Sequence, residues 1–368
     1  KCPYCDFNSH VREQIDAAAW QNALVSELNM YADTYPNIKI SSIFFGGGTP
    51  SLMPSKITEK TLSRIEQLWG LSKETEITLE ANPDSVEAAR FADYRTAGVN
   101  RISIGVQSLK DESLQFLGRL HSAKEALDAL KIAGNIFERV SFDLIYALPH
   151  QTLESWRTEL EEALHYAKGH ISLYQLTIEE GTAFYHQYNR GKFTLPDEEA
   201  AADLYELTQE ITLSAGLPAY EVSNHAAPGQ ESKHNLSYWL GDPFIGIGPG
   251  AHGRIPANGN AFIATDTIKR PENWLESVAA NAYGIKETSI VSPEDRIGEA
   301  LMMGLRLNSG IDVNRLDQMT GKNTMEHVDQ QGLQDLTNSG HITYVDNRLS
   351  MTAKGMPLLN GIIGKLLI

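Results

Sequence analysis

Two cysteines at the start of the chain, Cys2 and Cys5, are the residues best suited to hold a metal or to do redox chemistry. They are the only cysteines among 368 residues. A Cys-x-x-Cys pair fits a thioredoxin-type redox site, half of a zinc site or part of an iron-sulfur site, with two unligated thiols as the plain alternative. Neither a βαβ context nor two nearby zinc ligands accompany the pair. Because a secreted disulfide framework needs more cysteines, the pair favours metal or redox chemistry in a reducing compartment.

A glycine-rich turn follows an apolar run that predicts a strand. It consists of three glycines, 46–48, with Thr49 and Pro50 after them. Without Cβ atoms the backbone can approach a ligand closely, and the carboxyl end of a strand is the active-site face of βα barrels. The turn has neither the phosphate-loop nor the dinucleotide glycine pattern, so a nucleoside triphosphate or NAD is not indicated. A tight turn without a ligand is the alternative.

Polar residues recur at the ends of the next predicted strands, and singly each could be a structural cap. The set is Glu80, Asn82, Ser103, Gln107, Arg119 and Asp143. Glu80 or Asp143 could accept hydrogen bonds from ribose hydroxyls, and Gln107 or Arg119 could bind a carboxylate. Because they follow consecutive strands, they predict one ligand pocket.

An imidazole with aromatic neighbours stands later in the chain, in the run His234-Asn-Leu-Ser-Tyr238-Trp239, and His252 follows it. His234 could be an axial ligand beside rings that pack against a flat macrocycle. Any single histidine among eleven is more often structural, so this assignment needs further support.

Short apolar runs alternate with stretches of helical period, which predicts βα units and a parallel sheet or barrel. The predicted strands are 40–45, 76–80, 101–106, 140–144, 172–176 and 218–222. The predicted helices are 57–68, 85–97, 111–117, 123–132, 153–167 and 197–215. Ser85, Asp111 and Asp197 are suitable first-turn or capping residues for three of them.

The rhythm stops near residue 223, and we predict three parts: a barrel over 1–223, an irregular glycine-rich segment over 224–291, and a C-terminal domain over 292–368. The last part reads as helices at 299–307 and 333–339, a hairpin over 341–351 around Asp346 and Asn347, and a helix over 352–367. This pattern predicts a small winged-helix-like α+β cap domain.

Charge argues against a nucleic-acid partner. The chain has 31 Lys plus Arg and 47 Asp plus Glu, a formal net charge of −16, and residues 333–368 hold only three basic residues. No segment has the ~20 apolar residues of a membrane span. The sequence opens on Lys1 without an initiator Met, so we expect the natural N-terminus to lie upstream.

Taken together, these motifs resemble the radical S-adenosylmethionine (SAM) superfamily, in the group that holds the HemN oxygen-independent coproporphyrinogen III oxidases and the HemW haem chaperones. Cys2 and Cys5 match the last two cysteines of the signature C-x-x-x-C-x-x-C. The other matching segments, in order, are Gly46-Gly-Gly-Thr-Pro50, Leu79-Glu-Ala-Asn-Pro83, Arg101-Ile-Ser-Ile-Gly-Val-Gln107, Gly118-Arg119 and Asp143-Leu-Ile-Tyr-Ala-Leu-Pro149.

The resemblance implies a partial (β/α)6 barrel with a 4Fe-4S cluster on three thiolates and SAM on the open iron. The methionine part would lie on Gly47, Gly48 and Thr49. The ribose or adenine would lie on Glu80, Gln107 and Asp143, and a carboxylate on Arg119. Cys2 and Cys5 would be cluster ligands. The first cysteine would lie three residues before Lys1, so this chain alone cannot close the site.

Two features favour the haem-chaperone branch of the group. Phe7 stands where the oxidases typically have a further cysteine, and the run from His234 fits the H-N-x-x-Y-W pattern associated with haem binding. We therefore expect a cytoplasmic haem-binding protein that delivers haem to acceptor haemoproteins, such as respiratory ones. A homodimer is among the expected assemblies. His234 would bind haem, Tyr238 and Trp239 would line its pocket, and His252 is a second candidate imidazole.

The alternative is an enzyme that decarboxylates coproporphyrinogen III propionates through the 5′-deoxyadenosyl radical, and a degenerate scaffold without cluster or haem is a third reading. Whether the chain is an enzyme stays open at this stage; if it is one, we expect the coproporphyrinogen dehydrogenase type.

Overall fold

Strands with one apolar and one polar face build the sheet at the centre of the N-terminal part of the chain. The computed structural model describes residues 2–10, 15–83 and 88–367. The sheet has the order β1-β2-β3-β4-β5-β6, and neighbouring strands from β1 to β5 are parallel. Its strands are β1 Ser42–Phe45, β2 Glu76–Ala81, β3 Arg101–Gln107, β4 Arg139–Tyr146, β5 His170–Gln175 and β6 Asn224–Ala226.

Alternation along β3 shows why the sheet has one polar face. Ile102, Ile104 and Val106 are each 0% exposed and belong to the main apolar core. Because successive side chains of a strand point to opposite faces, Ser103 and Gln107 lie on the other face. The same alternation in β2 and β4 assigns Glu80 and Asp143 to that face, opposite to the buried Leu79 and Leu144.

Eight helices accompany this sheet within the described residues. They are α1 Ala17–Thr34, α2 Ser55–Trp69, α3 Ala88–Ala97, α4 Asp111–Phe116, α5 Ala123–Ile136, α6 Leu153–Leu164, α7 Ala183–Asn189 and α8 Glu198–Ser214. Several begin at side-chain caps: the Ser122 hydroxyl accepts from the Glu125 N–H, and Asp197 caps α8. All six predicted helices occur with shifted ends, but the predicted Ser85 cap lies outside the described residues. Two of the helices, α1 and α7, were not predicted.

The prediction of a sixth strand over 218–222 is wrong. The strand that completes the sheet is β6, and it pairs antiparallel with β5. The chain reverses before β6, because the Ala226 N–H donates to the Pro218 carbonyl at 3.1 Å and Ala219 pairs antiparallel with His225. The sheet therefore holds five parallel strands and one short antiparallel strand.

The described chain divides into two compact units: Lys1–Ala219 with Ser223–Glu231, and Tyr220–Val222 with Ser232–Ile368. The predicted boundary after residue 223 falls where the chain passes between these units. The division into three parts stays a prediction.

The prediction of irregular structure over 224–291 is wrong. The second unit begins with α9 Lys233–Trp239, β7 His252–Pro256, β8 Phe262–Thr267, α10 Pro271–Asn281 and β9 Ile285–Val291. The three strands form an antiparallel sheet in the order β7-β8-β9. Gly241, Gly246, Gly248 and Gly250 lie in the connection between α9 and β7, and Gly253 lies inside β7 without interrupting its pairing with β8.

The C-terminal part is an α+β arrangement, as predicted. Its elements are α11 Pro293–Gly304, β10 Ile311–Asp312, α12 Val313–Thr320, α13 Gln330–Asn338, β11 Ile342–Val345, β12 Arg348–Met351 and α14 Leu359–Leu366. Asp346 and Asn347 both have positive φ, 51° and 59°, which closes the predicted two-residue hairpin. The last helix starts later than predicted, since a short 3-10 turn precedes it. No helix of the described residues is long and apolar enough to cross a bilayer.

Candidate functional site

The loop that carries the two cysteines is held against α7. The Cys5 N–H donates to the Cys2 carbonyl at 3.3 Å, which closes a turn, and the Phe184 N–H donates to the Pro3 carbonyl at 2.9 Å. The Tyr4 ring lies 6.2 Å from the Phe184 ring and packs on the apolar cluster around it. These contacts fix the backbone between the cysteines and leave both thiols partly exposed.

Arg119 lies beside the first of these cysteines. Its Nη1 donates to the Cys2 Sγ at 3.3 Å, and its Nη2 donates to Asn82 Oδ1 at 2.6 Å and to the Gly105 carbonyl at 2.9 Å. A positive charge therefore stands next to the sulfur. Burial, followed by the nearby Cys2, raises the pKa of Tyr4, so this phenol stays protonated at neutral pH.

The glycine-rich turn lies over the ends of β1 and β2. The Gly47 N–H donates to Glu80 Oε2 at 3.2 Å, and Asn82 Nδ2 donates to Thr49 Oγ1 at 3.0 Å. Gly47 has φ of 119°, a conformation that other residues rarely adopt. A Cβ at Gly48 would stand 3.3 Å from the Ser9 Cβ, so the chain that follows the cysteines runs close to this turn.

Asn82 was predicted to lie in the ligand pocket, but no individual role was assigned to it from the sequence. Its carboxamide accepts from Arg119 and donates to Thr49, so it joins the residue beside Cys2 to the glycine-rich turn. Gln107 is close to the same point, since a Cβ at Gly105 would lie 2.9 Å from Gln107 Nε2 and 3.4 Å from Asn82 Oδ1. Gln107 itself has φ of 72°, next to an irregularity in β3. The sequence signal for this role is the polar Asn82 directly before Pro83, where β2 ends.

Two carboxyl groups of this polar face have raised pKa values. Burial, followed by the negative charge of Asp143, raises the pKa of Glu80 to about 7. Burial raises the pKa of Asp143 to about 6, although a hydrogen bond with Ser172 and the charges of Arg101 and Arg119 lower it. Both acids therefore change charge near neutral pH.

The structure thus brings the first set of predicted residues together. Gly47, Thr49, Glu80 and Arg119 are connected through Asn82 and the ends of β1, β2 and β3, and Cys2 adjoins Arg119. A glycine cradle, two carboxyls and a guanidinium at the carboxyl ends of parallel strands suit a ligand with an amino acid and a nucleoside part. The two described thiols fit a cluster only as two of its three ligands.

The second set of predicted residues lies on α9, in the other unit. Ser232, which is fully buried, caps this helix by accepting from the Asn235 N–H at 3.3 Å. The spacing of four puts His234 and Tyr238 on one face, with ring centroids 4.8 Å apart. The Tyr238 ring in turn lies 4.5 Å from the Phe244 ring. Phe244 extends this row and was not singled out from the sequence.

Trp239 and His252 have different surroundings. Among the described residues, the buried Nε1–H of Trp239 has no hydrogen-bond partner. The Arg306 guanidinium lies 5.8 Å from the Trp239 ring centroid. His252 is exposed on β7, and its Nδ1 lies 2.5 Å from Asp266 Oδ1 on β8. An orphaned donor beside an imidazole and an aromatic row fits a macrocycle with acidic groups, whereas His252 belongs to a separate cross-strand pair.

Comparisons with known proteins match two separate parts of the chain to known families. The family described as "Radical SAM superfamily" matches residues 1–163, and the one described as "HemN C-terminal domain" matches residues 291–358. The bovine protein "Radical S-adenosyl methionine domain-containing protein 1, mitochondrial" is 36% identical over 373 residues, covering 100% of this chain and 84% of that protein.

Two bacterial relatives and a solved structure are similar to this chain over almost its whole length. The "Heme chaperone HemW" of Bacillus subtilis is 33% identical, covering 100% of this chain and 96% of that protein. Its counterpart of the same description in Escherichia coli is 34% identical, covering 99% and 94%. The structure of coproporphyrinogen III oxidase (HemN) from Escherichia coli superimposes with a TM-score of 0.81 at 21% identity, over 99% of this chain and 86% of that one. At this identity the superposition supports the fold alone.

Proposed function

The chain belongs to the radical SAM superfamily, in its HemN/HemW group, and from this premise we propose that it is a haem chaperone. It binds haem, holds a 4Fe-4S cluster and SAM, and passes haem to acceptor haemoproteins. The observation that carries the proposal is the row of His234, Tyr238 and Phe244 beside the orphaned Trp239 N–H. Full-length relatives named as haem chaperones support the same reading.

On the haem side, His234 offers an imidazole nitrogen for iron, and Tyr238 and Phe244 supply ring faces for the macrocycle. Burial raises the pKa of Tyr238, so its phenol is neutral when no metal is bound. We assign the iron to His234, whose imidazole nitrogen needs no proton loss to bind a metal. His252 is kept as a second candidate imidazole, oriented by Asp266.

On the SAM side, Cys2 and Cys5 supply two cluster thiolates in the full-length protein. With a third thiolate they would hold a 4Fe-4S cluster that leaves one iron open to SAM, and the cluster would supply an electron to that ligand. Gly47, Gly48 and Thr49 line the methionine part, and Arg119 binds a carboxylate. Glu80, Gln107 and Asp143 face the ribose and adenine. Glu80 and Asp143 accept hydrogen bonds from ribose hydroxyls, with all of their oxygens as acceptors when they are ionised.

The second candidate function is oxygen-independent decarboxylation of coproporphyrinogen III, and the superposition on the HemN oxidase favours it. The fold is shared by both functions, so it does not separate them. Phe7, in the place where the oxidases typically have a cysteine, supports the chaperone.

The cellular setting is part of the proposal. We place the protein in the cytoplasm, as a homodimer, with respiratory haemoproteins among its acceptors and without a nucleic-acid partner. The net charge of −16 supports the last point.

A transfer assay tests the proposed function. Full-length protein with reconstituted cluster and SAM is loaded with haem and mixed anaerobically with an apo-haemoprotein. We expect the Soret spectrum of the haem-loaded acceptor to form faster with this protein as the haem donor than with serum albumin as the donor. Transfer no faster than from albumin would contradict the chaperone assignment.

A further inference from the structure

The end of α11 lies directly against the end of α9. A Cβ at Gly304, the last residue of α11, would stand 3.4 Å from the Trp239 carbonyl. Arg306 follows two residues after Gly304, and its guanidinium lies 5.8 Å from the Trp239 ring centroid. The Arg306 cation thus lies near the Trp239 ring, at the end of the helix that carries His234.

The Trp239 N–H lacks a partner that buried donors normally have. It is buried, and no described residue accepts from it. A buried donor left unsatisfied is destabilising, so such groups in native proteins usually find a protein, water or ligand acceptor. Trp239 is the last residue of α9, the helix that carries His234, and a carboxylate bound at this end of the helix would accept from its N–H.

Arg306 has donors to spare at this place. Its Nη1 donates to the Met302 carbonyl, whereas a guanidinium carries five N–H donors. Burial lowers the pKa of Arg306, and the nearby Glu221 opposes this; a guanidinium remains charged at neutral pH in either case. Glu221 is fully buried and offsets part of the charge.

Other arginines of this unit are already paired. Arg315 donates to Asp242 Oδ1 at 2.5 Å and to the Leu240 carbonyl at 2.6 Å, and Arg254 pairs with Glu299 at 3.0 Å. Arg306 is therefore the arginine near α9 best placed to receive an added anion.

We infer that Arg306 and the Nε1–H of Trp239 bind a propionate carboxylate of the haem whose iron is bound by His234. The inference rests on the proposed function and deepens it, because it assigns the acidic edge of the macrocycle to the end of α9 and its iron to the start. A guanidinium and an indole N–H both donate, which is what a carboxylate accepts. The site thereby selects a tetrapyrrole with free carboxylates.

Haem and its dimethyl ester separate this role from a structural one. The ester keeps the iron and the ring but has no carboxylate. For Arg306→Gln in full-length protein we expect haem to bind about tenfold more weakly, in line with the loss of one charge-assisted hydrogen bond, and the ester to bind as it does to wild type. Arg306→Lys should recover part of the haem affinity. Trp239→Phe should bind haem a few-fold more weakly and bind the ester as wild type does.

Arg270→Gln is the matched control, since it removes the same charge from an exposed surface pair with Glu272. It should change neither affinity. Unchanged ester binding by Arg306→Gln also shows that the variant is folded. Equal weakening of haem and ester, or no weakening of either, would overturn the inference. Wild-type protein that binds the ester as tightly as haem would overturn it while leaving the proposed function standing. Absence of saturable haem binding would remove both.

Discussion

Glu80 accepts a hydrogen bond from the glycine-rich turn, and its charge changes with pH near neutrality. Its pKa is raised to about 7 by burial and by Asp143. The sequence predicted both acids at strand ends. Glu80 lies one residue before the end of β2, as predicted, whereas Asp143 lies inside β4, three residues before its end. The raised pKa values of the two acids could not be predicted, because they depend on burial and, for Glu80, on the charge of Asp143 from a strand that is not its neighbour.

The raised pKa of Glu80 predicts a pH-dependent stability. A carboxyl with a raised folded-state pKa contributes stability below its unfolded pKa, near 4.5, and that contribution is lost as the pH rises through about 7. Relative to wild type, Glu80→Gln should therefore gain unfolding free energy between pH 5 and pH 8, by at most about 3 kcal/mol. Urea unfolding at both pH values measures this, with the exposed Glu59→Gln as control. The same difference from wild type at pH 5 and pH 8 would count against a raised pKa.

Asn82 carries the second residue-scale prediction. Asn82→Ala removes the hydrogen bonds to Thr49 and Arg119, so SAM affinity of the reconstituted full-length protein should fall about tenfold while haem affinity stays unchanged. Anaerobic calorimetry measures both ligands. Asn189→Ala, at the exposed end of α7, is the control and should alter neither. Unchanged SAM affinity in Asn82→Ala would show that Asn82 does not position these groups.

At the scale of elements, the sequence predicted those strands and turns that depend on residues close together in the chain. The five parallel strands follow apolar runs, and the hairpin at Asp346 and Asn347 follows turn chemistry. The sixth strand was misplaced because its pairing with β5 is long-range. Helix α1 was missed because its buried side includes the charged Glu27, which breaks the apolar stripe expected of a helix. The α9 site was predicted for His234, Tyr238 and Trp239, whereas Phe244 and Arg306 come from other elements and needed the fold.

The seating of the cysteine loop gives a prediction at this scale. A Cβ at Gly118 would lie 2.6 Å from Pro3 Cδ, and Gly118 has φ of 67°. Gly118→Ala should therefore strain the backbone by about 1 kcal/mol and also displace the loop that holds Cys2 and Cys5. We expect reduced iron and sulfide per chain after reconstitution of the full-length protein.

Gly191→Ala is the control for this substitution, since Gly191 also has φ of 67° but nothing lies within 4 Å of its added Cβ. It should lose similar stability and keep its iron. Equal iron content in the two variants would mean that the contact of Gly118 with Pro3 does not position the cluster ligands.

At the scale of the whole molecule, one architecture is shared by proteins that are named for different functions. The chain aligns end to end with proteins named as haem chaperones and superimposes on a coproporphyrinogen oxidase. Function therefore depends on the side chains placed on the fold rather than on the fold itself. Here the His234 row and Phe7 support the chaperone.

Anaerobic turnover distinguishes these functions. Full-length protein with cluster, reductant, SAM and coproporphyrinogen III should form no protoporphyrinogen above the level of a sample without protein. The HemN oxidase, run in parallel, is the positive control. Formation of protoporphyrinogen over several turnovers would reassign the chain to the oxidases.

The most direct test of the account is an anaerobic haem titration of full-length protein beside His234→Ala and His186→Ala, followed in the Soret band. Iron and sulfide are measured on the same samples, with about four cluster irons expected in each. His186 is an exposed histidine of α7 and serves as control. The account predicts saturable haem binding by wild type and His186→Ala, and binding weakened at least about tenfold in His234→Ala. Equal haem affinity in all three proteins, with the cluster intact, would contradict it.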